Sequence, residues 1–440
     1  MKDKVIRLSP PQLLVVTFIF FSTLGMFLLK LPFATEDGIT MLDALFTSVS
    51  AMTVTGLVVV DTGSVFTLFG EVVIMILIQV GGLGIMSFAG LIFMMLGKKI
   101  GFKERLLLQQ ALNQTSVGGV IKLVKYLFVF SFIVEGTAMV LLAFKWVPEY
   151  GWGRGLYVSL FHSISAFNNA GFSVWSDSLM GYVGDPLVNI VISALFIIGG
   201  LGFTVLVDLY QTRSFKKFSL HTKLMVWGTL FINMAAMILI FLLEYNNPGT
   251  LAPLSLFDKL QGAYFQAVTP RTAGFNTLDY GSMERDTLLL TILLMFIGAG
   301  SASTGGGIKL TTFLVITMSA FAFLKEKREI RVFHRTIDEK HIFKALAVSM
   351  MSIFLIFLSL LIMNNSEKGA SFLSILFEVV SAFGTVGLSM GITGTLTDIG
   401  KSVLIVVMFI GKLGPLTLAF SLSRPDKEKI RYPKEDILTG

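Results

Sequence analysis

The chain has 440 residues, of which 54% are hydrophobic and only 14% charged, with 42 glycines, no cysteine and a formal net charge of +7. Soluble domains carry about 25% charged residues, so large water-soluble domains and an enzyme with a sizeable extramembrane core are excluded. Without cysteine there is no disulfide framework, thiolate metal site or cysteine nucleophile, and His162, His221, His334 and His341 are too scattered for a ligand cluster.

A membrane-spanning helix needs about 20 predominantly apolar residues. In chain order, candidate spans occupy 13–29, 72–97, 126–144, 186–207, 224–243, 287–323, 345–363 and 402–423. All are nearly free of charge; the exceptions are Glu135, Lys309 and Lys412. The first has a long apolar run and no small-residue cleavage pattern after it, which argues against a removed signal. The intervening segments alternate in charge. Segments 1–9, 98–125, 208–223, 325–344 and 424–440 together hold 25 Lys+Arg and 11 Asp+Glu, a net of +14. The opposite loops hold 8 basic and 16 acidic residues, a net of −8. Positive loops stay on the cytoplasmic side, so both termini are expected in the cytoplasm and the excess of base describes orientation. No nucleic-acid partner is implied.

Each outer loop contains a segment too apolar for a solvated loop and too short to span. These read FTSVSAMTVTGL (46–57), FHSISAFNNAGF (161–172), YFQAVTPRTAGF (264–275) and FEVVSAFGTVGL (377–388). An aromatic residue precedes a glycine by ten positions each time, at Gly56, Gly171, Gly274 and Gly387, and the glycines are spaced by 115, 103 and 113 residues. Self-similarity at a fixed period marks a repeat architecture. Glycine-rich stretches recur downstream of each at 79–86, 197–204, 296–307 and 409–418. The predicted fold is an all-α integral membrane protein of four tandem helix–pore-loop–helix repeats around one central ion pore, with eight spanning helices and four re-entrant half-helices. The repeats cover 1–110, 111–217, 218–335 and 336–440, with pore loops at about 46–60, 161–175, 264–278 and 377–391.

Non-helical backbone at membrane depth is tolerated only where it faces protein, water or an ion. Four such loops around one axis would satisfy one another by lining a pore. Main-chain oxygens of Thr53, Val54, Thr55 and Gly56, of Asn168, Asn169, Ala170 and Gly171, of Thr272, Ala273 and Gly274, and of Gly384, Thr385, Val386 and Gly387 could then replace a cation's hydration shell. Half-helices would direct their negative C-terminal ends at the ion. No carboxylate lies in the inner part of any loop, against a divalent-cation ring, whereas Asp61, Asp177 and Asp279 suit an outer mouth.

This plan, with strings such as TVTGL, NNAGF, RTAGFNT and GTVGLS, resembles the Trk/Ktr/HKT family of potassium transporters over nearly the full chain. Short tails resemble the membrane subunits of its bacterial Ktr branch, the KtrB type. The resemblance implies a multi-pass protein of the bacterial cell membrane that assembles as a homodimer. It also implies a cytosolic RCK ring of the KtrA type that binds adenine nucleotides, K+ as the transported ion, and sodium stimulation. Gly56 at the filter position of the first loop goes with potassium selectivity in that family. It further implies that the run of Gly298, Gly300, Ser301, Ser303, Thr304, Gly305, Gly306 and Gly307 is an intramembrane gating loop, and that Lys412, where the family usually has Arg, faces the pore beside it.

Competing readings attach to several residues. The glycine run could instead be close helix–helix packing, and Lys412 could snorkel to the cytoplasmic face. Arg271 is read as tucked behind the filter or paired with an acid, the alternative being a pore-lining cation. Glu135 is read as paired with another helix or a hydroxyl, the alternative being ion coupling; Lys309 could hold the gate or reach the cytosol. The basic loops suit docking of a regulatory ring or anionic membrane lipid. A secondary transporter of another cation or small solute also uses broken helices, usually two in inverted halves, and four same-direction repeats argue against it.

Overall fold

A computed structural model of the chain describes residues 10–84, 87, 120–212, 214–301, 303–327, 329–415 and 417. The basic segments 1–9 and 424–440, most of 98–125, and the distal ends of the predicted spans 72–97 and 402–423 lie outside the described residues.

Four long apolar helices punctuate the chain: α1 (Pro10–Leu29), α5 (Val120–Tyr150), α9 (Leu220–Glu244) and α13 (Glu339–Ser366). At about 1.5 Å per residue, their 20, 31, 25 and 28 residues suffice for a hydrocarbon core of about 30 Å. Each precedes a helix of 13 to 16 residues: α2 (Met41–Thr53), α6 (Trp152–Phe167), α10 (Leu256–Val268) and α14 (Phe372–Gly384). Three of these start where a polar residue offers a cap. The hydroxyls of Thr40, Ser255 and Ser371 accept from the backbone N–H of Asp43, Asp258 and Ser374, filling one of the unsatisfied donors of a first turn. A short turn, α3 (Thr62–Val65), follows α2.

The second apolar helices are α4 (Leu68–Leu83), α7 (Pro186–Leu201), α11 (Arg285–Ile297) and α15 (Asp398–Leu413). Here the structure shows breaks that the eight predicted spans did not include, apart from the one expected at the glycine run 298–307. Each of these helices stops after 13 to 16 residues at a glycine of positive φ: Gly84 (86°), Gly202 (96°), Gly298 (61°) and Gly414 (84°). Only glycine adopts these angles without a steric penalty, so an apolar window that looks continuous in sequence is broken in space. After Gly202, α8 (Phe203–Gln211) leaves at 95° to α7; after the 298–309 loop, α12 (Leu310–Leu324) resumes. Among the described residues, four helices are long and apolar enough to span, or five if α7 and α8 form one bent span. Among the described residues a two-stranded hairpin pairs β1 (Arg331–Val332) with β2 (Arg335–Thr336), and its turn residues Phe333 and His334 both have positive φ.

Apolar packing divides into two large clusters. One gathers Trp146, Phe161 and Phe196 around the first half of the chain, and the other gathers Phe46, Tyr280 and Phe377 around the second. Outside them, α5, α9 and α13 present Phe144, Phe231 and Phe354, each about 70% exposed. Large contiguous apolar faces of this kind are found where lipid covers them.

Candidate ion-conducting site

The helices α2, α6, α10 and α14 end within their predicted pore loops. At three of the four ends the chain reverses by a bond from a backbone N–H to the carbonyl five residues earlier: Thr55 to Ser50, Ala170 to Ser165 and Val386 to Ser381, at 2.8–2.9 Å. That closure requires a left-handed residue one position before the donor. Those residues are Val54 (φ 51°), Asn169 (φ 58°) and Thr385 (φ 49°), and Thr272 (φ 76°) occupies the same place in the third loop. Two positions on, Gly56, Gly171, Gly274 and Gly387 are also at positive φ, between 69° and 92°. For the β-branched Val54 and Thr385 this conformation costs on the order of 1–3 kcal/mol, strain of a kind that clusters at functional sites.

The four loops meet head to tail. A Cβ on Gly56 would lie 2.3 Å from the Ala170 carbonyl oxygen, and one on Gly171 2.9 Å from that of Ala273. One on Gly274 would lie 2.2 Å from the Val386 carbonyl oxygen, and one on Gly387 2.1 Å from that of Thr55. The order first, second, third, fourth, first therefore closes a ring. In each loop the glycine is the face against which the next loop's carbonyl rests, and no side chain fits there. The structure thus brings Thr55, Gly56, Ala170, Gly171, Ala273, Gly274, Val386 and Gly387 together.

Behind the ring, buried polar side chains hold the loops. His162 meets the Ser173 hydroxyl at 3.1 Å and stacks on Trp175; Glu378 accepts hydrogen bonds from Ser389 and Thr393. His162 and Glu378 share one register, nine residues before their glycines, and brace the residue two beyond it. Sequence reasoning passed over both, although each directly follows the aromatic residue that leads its segment. Glu135 accepts from the Gln79 side-chain amide at 3.1 Å on both oxygens and from Asn168 at 3.4 Å. Asn168 also donates to Gln79 Oε1 at 2.7 Å, so this carboxylate backs the second loop. Asp43, at the start of α2, pairs with Lys401 of α15 at 2.8 Å and joins the two ends of the described chain. Asp61 and Asp279 serve as caps for local turns.

Directly against the ring lies the 298–309 loop. Gly300 and Thr304 donate their backbone N–H to the Gly200 and Gly199 carbonyls of α7, at 2.8 and 3.4 Å. The Thr304 hydroxyl donates to Asn169 Oδ1 at 2.7 Å, and the Gly306 N–H to the Thr385 hydroxyl at 2.9 Å. A Cβ on Gly305 would lie 2.2 Å from the Thr272 hydroxyl, and Gly307 packs on Gly384. Three of the four left-handed loop residues, Asn169, Thr272 and Thr385, therefore touch this segment. Ser301 contacts Thr311, and the Ser303 hydroxyl donates to the Gly300 carbonyl. Two ammonium groups clamp the loop's carbonyls: Lys412 donates to Thr304, while Lys309 donates to Gly305 at 2.6 Å and to Gly306 at 3.3 Å. Lys412 occupies the register of Gly82 and Gly200 in the first two second-helices, two residues before the terminal glycine. Arg271 is 7% exposed. It donates to the Gly298 carbonyl at 3.3 Å and to Asn233 Oδ1 at 3.2 Å, and among the described residues no ion pair includes it.

Apolar helices long enough to span a bilayer, surrounding a ring where four loops meet beside a glycine-rich loop, define an integral membrane protein. The chain matches the TrkH family, described as cation transport protein, over residues 9–431, and it belongs to that family. It is 58% identical over 442 residues to Ktr system potassium uptake protein B of Bacillus subtilis (strain 168), covering 100% of this chain and 99% of the relative. It is 42% identical to Ktr system potassium uptake protein B of Vibrio alginolyticus, covering 98% and 95%. Among solved structures, the potassium transporter TrkH from Vibrio parahaemolyticus has the same fold, with a TM-score of 0.75 at 24% identity over 96% of this chain and 86% of that one.

Proposed function

We propose that the chain takes up potassium across the bacterial cell membrane as the channel-like, ion-translocating subunit of a Ktr-type system. The observation that carries this reading is the closed ring in which each of four glycines rests against the carbonyl of the next loop. Such a ring offers oxygen ligands without a formal charge, which suits a monovalent cation that must bind and leave. The C-terminal ends of α2, α6, α10 and α14 add partial negative charge toward the same place. In this reading 1–110, 111–217, 218–335 and 336–440 are four repeats around one pore, and both termini are cytoplasmic. The 298–307 loop is the gate, and it blocks the pathway until a cytosolic nucleotide-binding ring of the KtrA type moves α12 or its hairpin. Assembly as a homodimer, sodium stimulation and lipid contact at the basic loops belong to the same proposal, on the strength of family membership.

The test is potassium uptake in a cell without its own uptake systems, with the chain alone, with a coexpressed cytosolic ring, and with residues 300–306 deleted. Expected are weak uptake by the chain alone, strong uptake with the ring, and strong ring-independent uptake after deletion. No uptake under any condition would refute potassium transport; a deletion variant that still needs the ring would refute the gate.

A further inference from the structure

The four loop registers three residues before the filter glycines hold Thr53, Asn168, Arg271 and Gly384. Only the third is charged, and among the described residues it is the third repeat that carries a loop, 298–309, between two parts of its second apolar segment. The break glycine there also differs from its three counterparts. Gly84, Gly202 and Gly414 have ψ of 130–139°, whereas Gly298 has φ 61° and ψ −160°. A Cβ on Gly298 would lie 2.7 Å from the Gly306 carbonyl oxygen and 2.8 Å from that of Ile308. Gly298 is thus the point where the outgoing and returning strands of the loop touch, and the Ala299 carbonyl accepts from the Leu310 N–H at 3.0 Å to close its base.

Arg271 reaches this point from the filter side. Its backbone adjoins the left-handed Thr272, whose hydroxyl faces Gly305, and its Nε donates to the Gly298 carbonyl. A guanidinium has five N–H donors, and removing such a charge from water is costly unless it stays hydrogen-bonded. Here a carbonyl and the Asn233 amide oxygen are the recorded acceptors. Beside it is a small crevice of about 20 Å³, lined in part by Gly200, Thr229, Asn233 and Ala299.

We infer that Arg271 is a positioning residue that latches the hinge of the gating loop to the third filter loop, holding the closed state and transmitting its release to Thr272. The inference rests on the gate reading above. Lifting the loop withdraws the Gly298 carbonyl and leaves the guanidinium under-bonded in an apolar site. The loop therefore opens together with a movement of Arg271, and that movement acts on the backbone of the filter.

The experiment uses the full-length chain in proteoliposomes without a regulatory ring. The chain lacks cysteine, so Ser303→Cys supplies a single thiol on the loop and Gly369→Cys a control thiol on a loop with open space around it. Loss of a hydrogen bond to a charged group supports an expected rise of about tenfold, equivalent to about 1.4 kcal/mol. Arg271→Gln should raise both ring-independent potassium flux and the labelling rate of Cys at 303 by that factor, with labelling at 369 unchanged. Asn233→Ala should raise both by less, because the Gly298 bond survives. A merely structural role would lower the melting temperature and leave the ratio of the two labelling rates where it was. Native-like flux and labelling in Arg271→Gln, beside a leaky 300–306 deletion, would overturn the latch alone. A deletion variant that is not leaky would overturn the gate and the latch with it. Should Arg271→Gln fail to give a monodisperse protein, Arg271→Lys and Asn233→Ala decide by the same readouts.

Discussion

Serine substitutions at the four filter glycines should differ in severity, and the ring geometry sets the order. A real Cβ essentially never comes within 3.0 Å of a non-bonded heavy atom. One placed on Gly387 would sit 2.1 Å from the Thr55 oxygen, so the fourth and first loops must separate by about 0.9 Å. The corresponding displacements are about 0.8 Å for Gly274 and 0.7 Å for Gly56, but only about 0.2 Å for Gly171, where the nearest atom is the Gly274 Cα at 2.8 Å. Each substitution also places a side chain at positive φ, at roughly 1–2 kcal/mol. That term is common to all four and cancels from the ranking. The displacement does not cancel, because in the proposed filter it moves a ring carbonyl away from the ion. A change of about 1.4 kcal/mol in the relative binding of two ions is tenfold in their ratio. Gly387→Ser, Gly274→Ser and Gly56→Ser should therefore lose about tenfold or more of the preference for potassium over sodium, and Gly171→Ser about threefold or less. The assay is paired potassium and sodium flux in proteoliposomes, with monodispersity confirming the fold. If Gly171→Ser were as severe as Gly387→Ser, or if all four left selectivity unchanged, the ring would not be the selective element.

Substitutions at two further residues probe the surroundings. Lys412→Met removes the donor to the Thr304 carbonyl and should raise ring-independent flux by about tenfold, measured as for the loop deletion; Lys412→Gln should do so less. Glu135→Ala leaves the Gln79 and Asn168 amides without their buried acceptor, at about 1–3 kcal/mol. Its melting temperature in detergent should fall by several degrees, and by clearly less in Glu135→Gln. Equal melting temperatures for the native chain and Glu135→Ala would show that the amides find other partners.

The repeat was legible because its signals are local. A ten-residue offset from an aromatic residue to a glycine follows from one short helix and one turn, and such geometry is encoded within a dozen residues. The glycine run at 298–307 was legible for a similar reason, since its density of glycine disfavours helix. Register alone did not expose His162 or Glu378. A polar residue inside an apolar segment looks like an interruption until Ser173 and Ser389, eleven residues later in each case, are seen to return to it.

By itself, then, the sequence determined the membrane setting and pointed to a fourfold period and its loop residues, because apolar length, charge alternation and glycine spacing are properties of neighbours along the chain. The tertiary structure decided the order in which the loops close, which pairs Gly387 with Thr55 across more than 330 residues. It decided that the second helices break at Gly84, Gly202, Gly298 and Gly414, where backbone angles open only to glycine are used at some glycines and not at others. It also decided the fate of the buried charges: Glu135 with two amides, Arg271 with a carbonyl and an amide, Lys309 and Lys412 with carbonyls of the loop. A charge in an apolar segment announces that it must find partners. Which ones it finds depends on elements distant in sequence, and only their packing brings them within hydrogen-bonding distance.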